Sequence, residues 1–174
     1  MVMSDKVILR KTANIINKDK TIDEKEKEKR IRLVEDILKE TDKEKRYSKL
    51  YDMICDYLDE DFINRNVCGF KDGICSRRQY MIDKGIKKDT YKNGCCHGYK
   101  EGGDCKHLKN GRCSIKNIAC KTFTCPYLKL KGISYSINKI YFARYFFNFR
   151  QKFYMENTYF VDKDVVLKGI LERM

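Results

Sequence analysis

The sequence predicts a mainly α chain with a small irregular α+β centre, and three observations predict it. Amphipathic helical spacing recurs twice before position 62. Eight of the nine cysteines then crowd into the 58 residues from Cys68 to Cys125. After the last of them comes a run rich in Phe and Tyr at spacings of three and four, the period of a helix face.

Taken in order, residues 1–20 show no clear periodicity and read as an irregular or strand-like arm. Thr21 with Glu24, and Thr41 with Glu44, match the capping box, in which a hydroxyl and a carboxylate satisfy orphan amides at a helix start. Behind the first box stand Ile31, Val34, Ile37 and Leu38; behind the second stand Tyr47, Leu50, Tyr51, Ile54 and Leu58. Residues 21–62 therefore predict a helical hairpin, its Lys/Glu runs forming solvated faces. Cys55 lies beside the second stripe and reads as a small core residue, not a ligand.

The texture changes over 63–130. Asp72-Gly73, Asn93-Gly94, Gly102-Gly103 and Asn110-Gly111 mark tight turns. Short helices are expected near 76–84 and 114–121, each opened by a serine. An internal echo joins Cys68…Lys71-Asp72-Gly73-Ile74-Cys75-Ser76 to Cys105…Lys109-Asn110-Gly111-Arg112-Cys113-Ser114: cysteine, Lys-Asx-Gly turn, cysteine, polar helix start. Residues 131–174 predict C-terminal helices packing on this centre. The first is long, about 134–156, with Ile137, Ile140, Tyr141, Tyr145, Phe146, Phe149, Phe153 and Tyr154 on its core face; the second spans about 162–172.

The N-terminus lacks the apolar region of a secretory signal, and no stretch approaches the roughly 20 apolar residues that span a bilayer. The chain thus reads as cytoplasmic, with no membrane partner. A reducing compartment disfavours structural disulfides, and nine is an odd number for a closed framework. Clustered thiols in that setting are expected to be metal ligands.

The net charge of +13 is unevenly distributed. Residues 1–67 hold 16 basic and 16 acidic side chains, residues 68–125 hold 13 and 5, and residues 126–174 hold 9 and 4. The surplus sits on the cysteine-rich part and the tail. Some of it offsets the negative charge that bound thiolates would carry. It also motivates an alternative, a basic zinc-dependent nucleic-acid-binding protein, with Lys139, Arg144, Arg150 and Lys152 interleaved among aromatic residues.

The candidate metal ligands are Cys68, Cys75, Cys95, Cys96, Cys105, Cys113, Cys120 and Cys125. Sulfur sets of this kind suit tetrahedral zinc, as one or two ions, or an iron–sulfur cluster; the spacing matches neither a zinc ribbon nor a ferredoxin and leaves the two open. Adjacent Cys95 and Cys96 leave an extended backbone on opposite faces and can serve different metals. His97 and His107, the only histidines, stand next to ligand cysteines and can replace one or support it from behind.

The stretch Cys95-Cys96 … Cys105-x-x-Leu108 … Gly111-Arg112-Cys113-Ser114-Ile115 … Cys120-x-x-Phe123-x-Cys125 resembles the second half of the cysteine-cluster (CxxCxxCC-type) zinc- or iron-chelating domain proteins. The likeness covers about 30 of the 174 residues. The upstream C-x-x-C-x-x-C-C is absent, with Cys68 and Cys75 standing in for it. Lys116 and Ile118-Ala119 occupy the places of the family's Tyr and Arg-Pro. The resemblance implies that Cys95, Cys96, Cys105, Cys113, Cys120 and Cys125 bind metal, and implies little about chemistry. Flagellin lysine N-methylases carry a related cluster, but no glycine-rich loop for a methyl donor is present here.

The functional expectation is a small cytoplasmic metal-cluster protein whose zinc or iron–sulfur site is chiefly structural or redox, with an unknown protein partner. No phosphate loop, nucleophile elbow or H-E-x-x-H motif occurs, so no catalytic residue is assigned.

Overall fold

The structure, a computed structural model, describes residues 3–72, 74–86, 105–109 and 112–174. These residues are mainly helical: eight α-helices, one short 3-10 helix and one two-stranded hairpin. Cys95, Cys96 and His97 lie outside the described residues.

The first departure from expectation comes at the start. Residues 1–20 do not form an irregular arm, because α1 spans Asp5–Lys18. Its buried line is Ile8, Thr12 and Ile16, one residue per turn. The stripe passes through a polar residue, which hides its period from hydropathy.

Helix α2 (Glu24–Leu38) and helix α3 (Lys43–Arg65) stand where the hairpin is expected, but both caps shift. Asp23 accepts from the Glu26 amide at 2.8 Å and Asp42 from the Lys45 amide at 2.9 Å. Thr21 instead donates its amide and hydroxyl to Asp19. A carboxylate at the N-cap also meets the positive end of the helix dipole, which a threonine hydroxyl does not.

Arg46 locks the three helices together. Its guanidinium forks onto Asp5 at 3.0 and 3.2 Å and caps the end of α2 through the carbonyls of Leu38 at 2.9 Å and Glu40 at 2.6 Å. Helix α3 is the central element. Tyr47, Leu50, Tyr51, Ile54, Cys55 and Leu58 are all buried on one stripe, and α2, α5, α8 and β2 pack around it. Cys55 is a core residue, as expected, and burial pushes its thiol up to about 12.

Asn66, left-handed at φ 41°, ends α3. Helix α4 is Ser76–Asp83, and the hairpin pairs β1 (Leu108–Lys109) with β2 (Arg112–Cys113). Next come α5 (Ile118–Thr122) and α6 (Pro126–Leu130), the latter begun by the proline. Residues 137–139 form the 3-10 turn, and α7 (Phe149–Asn157) and α8 (Lys163–Leu171) close the chain.

The long helix expected over 134–156 does not form. A succession of turns occupies 141–146, and α7 starts only at Phe149. The backbone is extended at Ile140 and again at Asn148, which breaks the helix on both sides, and Ile140, Phe142, Ala143, Phe146 and Phe147 enter the core from turns instead. Asn148 then starts α7 with a complete capping box: it accepts from the Gln151 amide at 2.9 Å, and Gln151 accepts from the Asn148 amide at 2.9 Å. Gln151 is fully buried and donates to the Ile170 carbonyl at 3.1 Å, joining α7 to α8.

Thr12 is 1% exposed, and its hydroxyl has no hydrogen-bond partner among the described residues. A buried orphan hydroxyl costs about 1–3 kcal/mol. Thr12→Val should therefore stabilise the protein by about 1 kcal/mol in chemical denaturation, with the slope unchanged. A neutral or destabilising result would show that the hydroxyl finds a partner.

Candidate metal centre

The two echoed cysteine segments fold alike. Lys71 bridges to Ile74, and Lys109 pairs with Arg112, both antiparallel, so each segment returns on itself. Asp72 sits at φ 52°, the left-handed region this turn demands. In the first segment the Ser76 amide donates to the Cys68 carbonyl at 3.0 Å; in the second the Ser114 amide donates to the His107 carbonyl at 2.8 Å. Gly69, at φ 57°, is packed so closely on Ser76 that a Cβ there would collide with its hydroxyl oxygen. Asn66 braces the same loop, its side chain bonded to both the amide and the carbonyl of Phe70.

The helix starts differ from those expected. Cys75, not Ser76, caps α4, and its sulfur accepts the Arg78 amide at 3.4 Å and also the Arg77 amide. Asn117, not Ser114, caps α5 by accepting from the Cys120 amide at 2.9 Å. Asn117 is completely buried, and its amide nitrogen donates to the carbonyls of Thr158 at 2.9 Å and Val161 at 3.0 Å. The Tyr51 hydroxyl of α3 accepts from the Ile118 amide at 3.2 Å. Helix α5, only five residues long, is thereby held from three sides, and it carries Cys120.

Cys120 lies within electrostatic reach of Cys113 and Cys105, and Cys75 within reach of Cys125. Cys75, Cys105 and Cys125 are buried, while Cys68, Cys113 and Cys120 are partly buried. No two cysteines are joined by a disulfide among the described residues. Among those residues, too, no three His, Cys, Asp or Glu side chains converge closely enough to hold a metal ion. The described sulfurs are gathered by region, not by coordination distance.

Burial pushes the Cys120 thiol up to about 11, although the Phe160 backbone amide bonds its sulfur and opposes the shift. Phe160 itself stands at φ 61°, the left-handed region an aromatic residue rarely adopts. Burial also raises Cys75, against the pull of the Arg78 and Arg77 amides. Amide donors aimed at sulfur favour the thiolate, and a bound cation would take the place of the proton. Thiolate donors with N–H support suit zinc or an iron–sulfur cluster, so the donor chemistry fits while the described ligand count falls short of four.

Lys121 was not singled out in the sequence. It is 4% exposed, bonds Asp59 at 2.5 Å and the Cys113 carbonyl at 3.4 Å, and lowers the pKa of both Cys120 and Cys55. It belongs to a row of contacts along α3. Asp52 receives Lys163 at 2.7 Å and Lys116 at 3.2 Å, and Asp56 lies 3.6 Å from Lys116. Part of the basic surplus therefore docks onto α3. No sequence rule marks Lys121 or Asn117, since each looks like an ordinary loop or surface residue until its partners are known.

No protein-family model matches the chain, and no similarity to a curated protein or to a solved structure is found.

Asn117→Ala removes three buried hydrogen bonds and orphans two carbonyls, and should cost about 3 kcal/mol. Denaturant unfolding checks this, and a loss below about 1 kcal/mol would mean that the clasp is not holding α5. Asp52 has its own pH signature. Burial raises its pKa, but the Lys163 and Lys116 ammoniums outweigh burial and hold it below 3.8. Its contribution is therefore present above pH 3.8 and disappears as the pH falls through the lower folded value. The stability gap between wild type and Asp52→Asn should be open at neutral pH and closed in strong acid; a gap that stays constant would remove this account. The gap is expected to be small, because the carboxylate is partly solvated.

Proposed function

We propose that the protein is a small metal-binding protein that holds zinc or an iron–sulfur cluster, in a structural or redox role, through Cys68, Cys75, Cys95, Cys96, Cys105, Cys113, Cys120 and Cys125. The observation that carries this reading is the nearness of Cys105 and Cys113 to Cys120, as one group, and of Cys125 to Cys75, as a second, with the Cys120 and Cys75 sulfurs each bonded by backbone amides. Cys68 joins the second group through its paired turn, and Cys95 and Cys96 supply donors to complete the sets. The buried Lys121 ammonium offsets thiolate charge beside Cys120. The likeness to the cysteine-cluster chelating domains agrees with this assignment.

In this reading residues 63–130 form the metal-binding unit and the flanking helices its support. A zinc ion would supply folding energy, on the order of 10–16 kcal/mol of apparent binding, while an iron–sulfur cluster would supply an electron-transfer centre. The chain's own residues orient the sulfurs: Asn117 and Tyr51 fix α5, and the two Lys-Asx-Gly turns return each segment on itself. The cellular setting that goes with this chemistry is a reducing cytoplasm. Among the described residues no helix is long and apolar enough to cross a membrane.

Elemental analysis and a visible spectrum of anaerobically purified protein test the proposal. Zinc or iron bound in stoichiometric amount is expected, and chelation should expose 63–130 to protease while the flanking helices persist. A metal-free, colourless protein whose protease resistance ignores chelators would reject it.

A further inference from the structure

Helix α7 presents to solvent two aromatic rings that the core does not take up. Phe149 is 81% exposed and Phe153 60% exposed, although helical spacing had assigned both to the core face. The two rings lie one turn apart, with centroids 6.3 Å from each other and planes inclined by only 29°. At 3.6 residues per turn, Arg150 flanks this pair on one side of the helix and Lys152 on the other. An open hollow of about 630 Å³ adjoins the rings, and Arg150, Tyr154 and Arg173 help to line it.

The charges around the rings are unbalanced in one direction. Arg150 is exposed and makes no ion pair among the described residues. Lys152 donates to Asn138 at 2.7 Å, and burial together with nearby Arg144 disfavours its protonated form. An anion placed there would favour the Lys152 ammonium. Two carboxylates stand nearby: Glu156, which accepts the Ile137 amide at 2.6 Å and favours the Lys152 ammonium, and Glu172, which lines the hollow 4.0 Å from Arg173; Arg150, Lys152 and Arg173 outnumber them. Arg173 covers the Tyr154 ring at 4.0 Å, extending the aromatic and cationic surface.

We propose that this face of α7, Phe149 and Phe153 between Arg150 and Lys152, is a stacking site for single-stranded nucleic acid. Nearly parallel exposed rings accept bases of any sequence, and flanking cations take the phosphates. The two rings, one helical turn apart, offer exposed π faces on which unpaired bases can stack. A duplex hides its base faces and lacks this fit. The site does not depend on a bound metal.

The test is fluorescence anisotropy of a labelled oligothymidylate, about 12 nucleotides long, with the full-length protein. Saturable binding that weakens with salt is expected. Phe149→Ala and Phe153→Ala should each lower affinity roughly 5- to 100-fold, with Phe153→Tyr retaining it. Arg150→Gln should reduce the salt slope by about 0.7. Because both rings are exposed, circular dichroism melts of these variants should match wild type. The proposal is overturned by absence of binding at low salt, by alanine variants that bind like wild type, or by a duplex that binds equally well. A dimer in sedimentation that Phe149→Ala dissociates would also overturn it, assigning the face to a second copy of the chain.

Discussion

Tyr51 has to satisfy two demands at once. Its ring fills the apolar stripe of α3, and its hydroxyl must still find a partner, because a buried phenol without one is costly. The Ile118 amide at the start of α5 is that partner. Burial drives the Tyr51 pKa far upward, so the hydroxyl stays protonated and free to donate as well as accept. One residue thus couples the helical body to the segment that carries Cys120. Asn117 repeats the arrangement from the other side, joining α5 to the turn between α7 and α8. The cysteine-bearing part has few apolar residues, and it is held by directed polar contacts more than by buried area.

Electrostatics reinforces the same attachment. Residues 1–67 have equal numbers of acidic and basic side chains, but they are not evenly arranged. Asp52, Asp56 and Asp59 follow one another along α3 and meet Lys116, Lys121 and Lys163 from later in the chain. Most of these pairs are partly solvated and contribute modestly. The Lys121–Asp59 pair differs, since its ammonium is sealed from water and would be expensive to leave alone. Charge here selects how the segments meet and adds less to how tightly they hold.

The legible parts of the sequence were those in which one physical rule acted alone. Helices α2, α3 and α8 show clean stripes, and the Lys-Asx-Gly turns show the residues that a two-residue hairpin requires. Helix α1 was obscured by Thr12, a polar residue on the buried line. The supposed long aromatic helix failed for the opposite reason. Its spacing was genuine, but the backbone is extended at Ile140 and at Asn148, so Phe142, Ala143, Phe146 and Phe147 reach the core from turns. The capping box of Asn148 and Gln151 marks where α7 starts. At the candidate site, cysteine density was plain from the sequence. The supports Asn117, Lys121 and Phe160 were not, because their roles arise only from contacts 41 to 62 residues away in sequence or from backbone geometry.

The ninth cysteine gives the fold an unplanned chemical clock. Cys55 is sealed in the core on the central helix, far from the acidity at which a thiol attacks electrophiles. An alkylating reagent can reach it only when the body itself opens. The interval before that sulfur is labelled then measures how long the whole molecule stays closed, whatever happens at the other eight.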